Sequence, residues 1–305
     1  VSAARARAEL GYVDFLRARY DRAEHWLTRA LQDAGEDRLL HAKVATYLAA
    51  AASDRADYPR AIGLAREAVE LSRAAHDPRR EAYGHSLLGR ICLLRGDLEA
   101  ASAYLYEAMT LAENDHWLVF LPWPQSLQGE VELERGHIGR ADTLLRQAFA
   151  RACQVGDPCW EAAAARGLGL VAEERGNTDQ AFRTLIEARH RCTRLADPYA
   201  WLEGYVLDSL CTLAIRHNHP ERDLWINTLL RLAARGGMRE LTARSLLHAA
   251  AAGSARGPVS HVARNIDNPS LQRLVEHASS RRDENMPALA QARTGSGDHL
   301  HSHGN

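Results

Sequence analysis

The sequence predicts an all-α solenoid of antiparallel helix hairpins. Three observations predict it: small residues recur with a 40-residue period, a helix-ending glycine sits at a fixed place within the period, and the composition can bury a long core. The 305 residues are 46% hydrophobic with only 10 prolines, so apolar surface is plentiful and helix breakers are few.

The period is read from Gly89, Ala101 and Ala108, which recur 40 residues on as Gly129, Ala141 and Ala148 and again as Gly169, Ala181 and Ala188. Ala49, Ala61 and Ala68 extend the series backward, and Gly11, Ala23 and Ala30 extend it once more after a two-residue slip. Ser209 and Glu221 mark a degenerate sixth copy. The expected units are therefore about 1–36, 37–76, 77–116, 117–156, 157–196 and 197–237. Small residues are wanted where the two helices of a hairpin approach closely. Between the small positions lie Arg95-Gly96-Asp97, Arg135-Gly136-His137 and Arg175-Gly176-Asn177. Glycine there takes the left-handed conformation that ends a helix, and arginine sits at the negative end of the helix dipole. Asp77-Pro78, Asp157-Pro158 and Asp197-Pro198 punctuate the other end, Asp capping and Pro entering the first turn. Each unit thus reads helix, tight turn, helix, short turn.

Both ends of the series depart from it. The chain opens at Val1, and counting back from Gly11 by the Asp157-to-Gly169 spacing lands just before it, so the first helix is expected to lack its capping turn and to leave one face uncovered. A fragment of a longer chain and a GUG start both account for Val1. At the other end, 238–252 reads as a helix with Leu241, Leu246 and Leu247 inward and Arg239, Glu240 and Arg244 outward. After a linker at 253–258, Asn268 and Pro269 start a short helix presenting Leu271, Leu274, Val275 and Ala278 on one side. Residues 238–279 are expected to cap the stack, and the Gly-, Ser-, Arg- and His-rich 280–305 to form a disordered tail.

The pattern Leu88-Gly89, Gly96, Ala101, Leu105, Ala108 resembles the tetratricopeptide signature, as do Gly129, Gly136, Ala141, Leu145, Ala148 and Leu168-Gly169, Gly176, Ala181, Leu185, Ala188. The period exceeds that family's usual length and alone admits HEAT or armadillo repeats; the small-residue spacing favours tetratricopeptide repeats with longer helices. The resemblance implies a right-handed superhelix. Long repeats of this kind also resemble the C-terminal arrays of large bacterial ATP-dependent transcriptional regulators of the maltose-regulator-like, LuxR-associated and AfsR-like groups. Phe120-Leu121-Pro122-Trp123-Pro124 and Ile266-Asp267-Asn268-Pro269 add to that likeness.

Composition excludes several functions. With 38 basic and 39 acidic residues the chain has no charge excess for phosphate backbones or anionic lipid, so no direct nucleic-acid or membrane partner is expected. No apolar run is long enough to span a bilayer and no secretory signal opens the chain, which makes a cytoplasmic location the expectation. Lys43 is the only lysine and no glycine loop precedes it, so an ATPase module, if one exists, is encoded upstream. The cysteines, Cys92, Cys153, Cys159, Cys192 and Cys211, fit reduced core thiols, a Cys153–Cys159 bridge being the disfavoured alternative. His299, His301 and His303 fit an unstructured tail, and His217 with His219 is too few ligands for zinc. Glu132, Glu134, Glu173 and Glu174 lie before arginines at helix ends and read as solvated surface. Neither an enzyme nor a cofactor is expected.

Binding remains. In tetratricopeptide arrays the first helix of each hairpin lines the concave groove, and carrying those positions over gives Lys43, Thr46 and Asp54; Tyr83, Ser86 and Arg90; Trp123, Ser126, Glu130 and Glu134; Arg166, Glu173 and Glu174; and Glu203. Lys43, Tyr83, Arg90, Trp123, Glu130, Arg166 and Glu173 are the candidate peptide-binding set, a mixed-charge groove with two aromatics. Trp117, Phe120, Trp160 and Trp201 are expected to pack between repeats, with Trp123 evenly placed between groove and core. The leading expectation is a protein- or peptide-binding scaffold serving as the sensor arm of a bacterial transcriptional regulator. A free-standing adaptor and a small-molecule sensor are the alternatives.

Overall fold

The computed structural model describes residues 2–194, 198–254 and 259–278. The expected Asp197 cap and the 280–305 tail with its histidines lie outside these residues.

Six helix pairs follow one another: α1 (Ser2–Leu16) with α2 (Tyr20–Ala34), α3 (Arg38–Asp54) with α4 (Tyr58–Ala74), α5 (Pro78–Arg95) with α6 (Leu98–Asn114), α7 (Pro122–Glu134) with α8 (Ile138–Val155), α9 (Pro158–Glu174) with α10 (Thr178–Thr193), and α11 (Ala200–Arg216) with α12 (Arg222–Gly236). Then come α13 (Arg239–Ala251), the five-residue α14 (Val259–Ala263), and α15 over residues 269–278. No strand occurs among the described residues, and none of their helices is long and apolar enough to cross a membrane. The odd-numbered helices α1 to α11 pack on one another as an inner layer, and each even-numbered partner backs its own hairpin from outside.

The 40-residue signature is a size match between two positions. A Cβ on Gly89 would stand 2.6 Å from Leu105 Cγ and 3.2 Å from the Ala101 carbonyl oxygen; Gly11 meets Leu27, Gly129 meets Leu145 and Gly169 meets Leu185 at nearly the same distances. The close approach expected from the small-residue spacing is therefore that of a leucine side chain first and a neighbouring backbone second. In the second repeat the same two positions hold Ala49 and Ala65, both fully buried. Gly96, Gly136 and Gly176 end their helices at φ +81°, +78° and +76°, in the left-handed region. Asp77 and Asp157 each accept a hydrogen bond from a backbone amide of the following first turn, the N-cap role read from the Asp-Pro spacing, and Asp37 and Asp97 cap their helices in the same way without a following proline. The fourth repeat has Trp117 where Asp would stand, and a 3-10 turn at Leu118–Phe120 precedes the shorter α7.

α1 presents Leu10 and Val13, 48% and 37% exposed, where later repeats stack: Ala51, Ile91, Val131 and Val171 at the Val13 position are at most 5% exposed.

The C-terminal helices do not merely continue the stack. Arg239 donates to the Arg55 and Ala56 carbonyls at 2.8 Å, and Asn268 donates to the Leu94 carbonyl at 3.0 Å. Arg95 pairs with Asp267 at 2.9 Å, and a Cβ on Gly236 would lie 3.3 Å from Ala18. Residues 172 to 218 apart in sequence therefore meet, and the array closes on itself as a ring, with α12, α13 and the turn entering α15 lying over the turns of the first three hairpins. This corrects the outward placement of Glu240, which is 2% exposed, and of Arg244, which is half-buried between α11 and the first hairpins. Leu274, by contrast, is 44% exposed, while Leu271 and Val275 pack inward.

Candidate functional site

Winding the inner helices into a ring points their first-helix side chains at one interior. Asp54 on α3 receives the Arg90 guanidinium from α5 at 2.6 Å and the Tyr20 hydroxyl at 3.0 Å. α11 crosses the same space: the Arg90 guanidinium stands 5.1 Å from the Trp201 ring and 5.0 Å from the Tyr205 ring. Trp123 on α7 meets Trp201 edge-on at 5.7 Å, and Phe15 on α1 stacks on it at 6.4 Å. A cation held over two aromatic faces and paired with a buried carboxylate is strongly stabilised in a low-dielectric interior. Arg90 stays charged there. Burial opposes its charge, but Asp54 more than restores it; burial likewise raises Asp54 against the pull of Arg90.

Beside this pair lies a chamber of about 90 Å³, walled by Tyr12, Phe15, Tyr83, Trp123, Trp160 and Trp201. Burial raises the Tyr12 and Tyr83 phenols far above their ordinary range, so they are neutral donors. Tyr12 stacks on Tyr47 at 4.5 Å, and Lys43 stands 5.8 Å from the Tyr47 ring while pairing with Glu9.

A second polar chain crosses the interior. Glu130 on α7 pairs with Arg166 on α9 at 2.6 Å, and Arg166 donates to Ser209 Oγ on α11 at 3.0 Å. On α13, Arg244 pairs with Glu240 at 2.8 Å and His248 Nε2 lies 2.7 Å from Asp208. Glu240 also accepts from Asn268 at 2.9 Å and from the Tyr58 hydroxyl. Burial alone would raise the Asp208 carboxyl, but Arg244, His248 and Arg166 together bring it down from 3.8 to about 2. A depressed folded-state value means stability fully present above pH ~4 and lost as pH falls toward ~2, on the order of 2 kcal/mol. Urea titrations at pH 5 and pH 2.5 are expected to show that loss in the native chain and a smaller one in Asp208→Asn.

Of the candidate set, Tyr83, Arg90 and Trp123 come together at the chamber, and Glu130 pairs with Arg166 beside it. Lys43 lies one ring further out. Glu173 is elsewhere: it is 8% exposed and binds Arg216 and His217 at 2.8 Å, locking α9 to the α11–α12 turn. Glu132 is likewise 6% exposed, held by Arg135 at 3.0 Å and His137 at 2.8 Å. Both therefore leave the class of solvated surface acids. The mixed-charge groove is in fact internally neutralised, since Arg90, Glu130 and Arg166 all pair within the chain.

Trp117, Phe120 and Trp160 pack together between repeats, with ring separations of 4.3 and 5.8 Å. Trp201 parts from them to face Trp123. Trp123 itself is 9% exposed. Sequence reasoning missed Tyr12, Phe15 and Tyr205; the repeat frame flags the first-helix position of each, but only ring closure brings α1 against α11.

No protein-family model matches the sequence, and no curated protein matches it. Among solved structures, a Rap protein complexed with competence and sporulation factor is similar over 94% of this chain and 93% of its own, at 13% identity and a TM-score of 0.64. The apo form of RapI is similar over 92% and 99%, at 11% identity and a TM-score of 0.55. The fold is a tetratricopeptide-type helical solenoid. At such identities the likeness speaks for fold alone.

Proposed function

We propose that the interior chamber binds a peptide segment, with 1–237 as the binding array and 238–279 as its cap. The observation that carries this reading is the convergence of Tyr12, Tyr83, Trp123 and Trp201 around unfilled space beside the Arg90–Asp54 pair. Aromatic walls with a buried cation supply the apolar anchor and the polar register that peptide recognition uses. The factor held by the similar Rap protein supports the reading. A chamber of about 90 Å³ is smaller than the roughly 150 Å³ that admits benzene. Binding therefore opens the ring, and the peptide's affinity is reduced by the cost of releasing the C-terminal contacts.

A displayed peptide library selected against the full chain is expected to return binders that perturb tryptophan fluorescence. Tyr83→Ala is expected to weaken them tenfold or more, with Leu274→Ala, at an exposed position on α15, unchanged. An empty selection, or binders indifferent to Tyr83, sinks the proposal. The finer reading, in which the array is the cytoplasmic sensor arm of an ATP-dependent transcriptional regulator, predicts an in-frame nucleotide-binding module encoded upstream of Val1. A stop codon in that frame contradicts it.

A further inference from the structure

A second groove lies outside the chamber, between α8 and α10 on the far flank of α9, and comparison of adjacent repeats shows how it arises. In the preceding repeat the equivalent groove is filled by α7. Gln125 bonds to Gln147 at 2.9 Å and accepts from Arg151 at 3.0 Å on one wall, while Gln128 donates to Ser102 at 3.0 Å on the other. Glu132 fills its end. Forty residues on, these three positions are Ala165, Leu168 and Ala172. The bridging side chains are gone, and a groove of about 570 Å³ remains, floored by those residues and Val171. That volume is within the roughly 300–1,000 Å³ of ligand sites.

The rim carries more arginine than carboxylate. Arg146, Arg175, Arg183 and Arg191 line it against Asp142 and Glu187. Asp142 is shared by Arg146 at 2.9 Å and Arg175 at 3.1 Å, and the exposed Arg183 donates to the neutral Gln180 side chain at 3.1 Å. Arg191 is itself paired, with Glu187 at 3.2 Å and with Glu161, and its guanidinium lies 5.2 Å from the Phe149 ring, which carries the apolar floor up one wall. An apolar floor under an arginine-rich rim, with Arg183 bonded to a neutral amide and Asp142 divided between two guanidinium groups, complements a segment carrying aliphatic side chains flanked by carboxylates.

We infer that this groove docks an acidic amphipathic segment of a partner protein, independently of any peptide in the chamber. The probe is a fluorescent peptide of about 15 residues, leucines at i and i+4 with glutamates on both sides. Anisotropy with the full chain is expected to show binding at about 50 mM salt that weakens severalfold at about 200 mM. The same peptide with lysine for every glutamate is expected not to bind. Arg183→Glu is expected to weaken the acidic peptide roughly fivefold or more, and Ala165→Gln with Ala172→Glu, which restores two of the three filling side chains of the preceding repeat, to abolish binding. Should the filled variant fail to fold, Arg183→Glu at its exposed site decides alone. Absence of binding, equal binding of both peptides, or an acidic peptide indifferent to Arg183→Glu overturns the inference. Because Tyr83→Ala alters only the chamber, loss of one site leaves the other readable.

Discussion

Replacing Arg90 by methionine is expected to destabilise the chain by about 3–5 kcal/mol, because it strands the Asp54 carboxylate in the ring's interior. Asp54 has no exposed side-chain surface and Arg90 only 7%, so water cannot substitute for the lost partner. The Tyr20 hydroxyl remains as a donor but brings no charge. The loss is a large share of the 5–15 kcal/mol typical of a folded domain, and a circular-dichroism melt is expected to fall by roughly 5–15 °C. Asp54→Leu added to Arg90→Met removes both charges and is expected to recover most of the stability, since buried pairs hardly outperform apolar replacements. If the single variant melts with the native chain, the interior is wetter than its geometry describes.

Leu145→Ala is the second large effect, about 3–5 kcal/mol. Leu145 is fully buried, and a Cβ on Gly129 or on Gly167 would stand 2.6 or 2.4 Å from its side chain. Both neighbours are glycines, with no side chain to relax into the void, which places the cost toward the upper end. Gly129→Ala alone is expected to cost about 1–3 kcal/mol through overpacking, less the gain in helix propensity. The two together reproduce the Ala49 and Ala65 pair that the second repeat carries at these positions. The double variant is therefore expected to be more stable than Leu145→Ala alone, a coupling measurable by urea denaturation in a double-mutant cycle. Strict additivity contradicts the size match.

The hairpins were legible because each rests on local chemistry: a left-handed glycine at Gly96, a cap at Asp77, small residues at a fixed spacing. Those signals act within one repeat and need no knowledge of the whole. The interior was half legible. Tyr83, Arg90 and Trp123 follow from the repeat frame, yet their partners Trp201 and Tyr205 lie on a helix that meets them only after a full turn of winding. The misplacement of Glu240 has the same origin: helical periodicity assigns α13 one buried face, whereas closure buries a second. Glu132 and Glu173 looked solvated because charge near a helix end usually is, and nothing in a single sequence shows that His137 and His217 fold over them.

Closure also fixes something an open solenoid leaves free. A linear array lengthens by duplicating a unit, since each repeat answers only to its neighbours. Here Arg239 must reach the carbonyls of Arg55 and Ala56 at 2.8 Å, so an added or deleted unit rotates the last helices away from the first turns. Copy number has become a tolerance set by geometry, and the turns of the first hairpins are tied in sequence to the last helices that meet them.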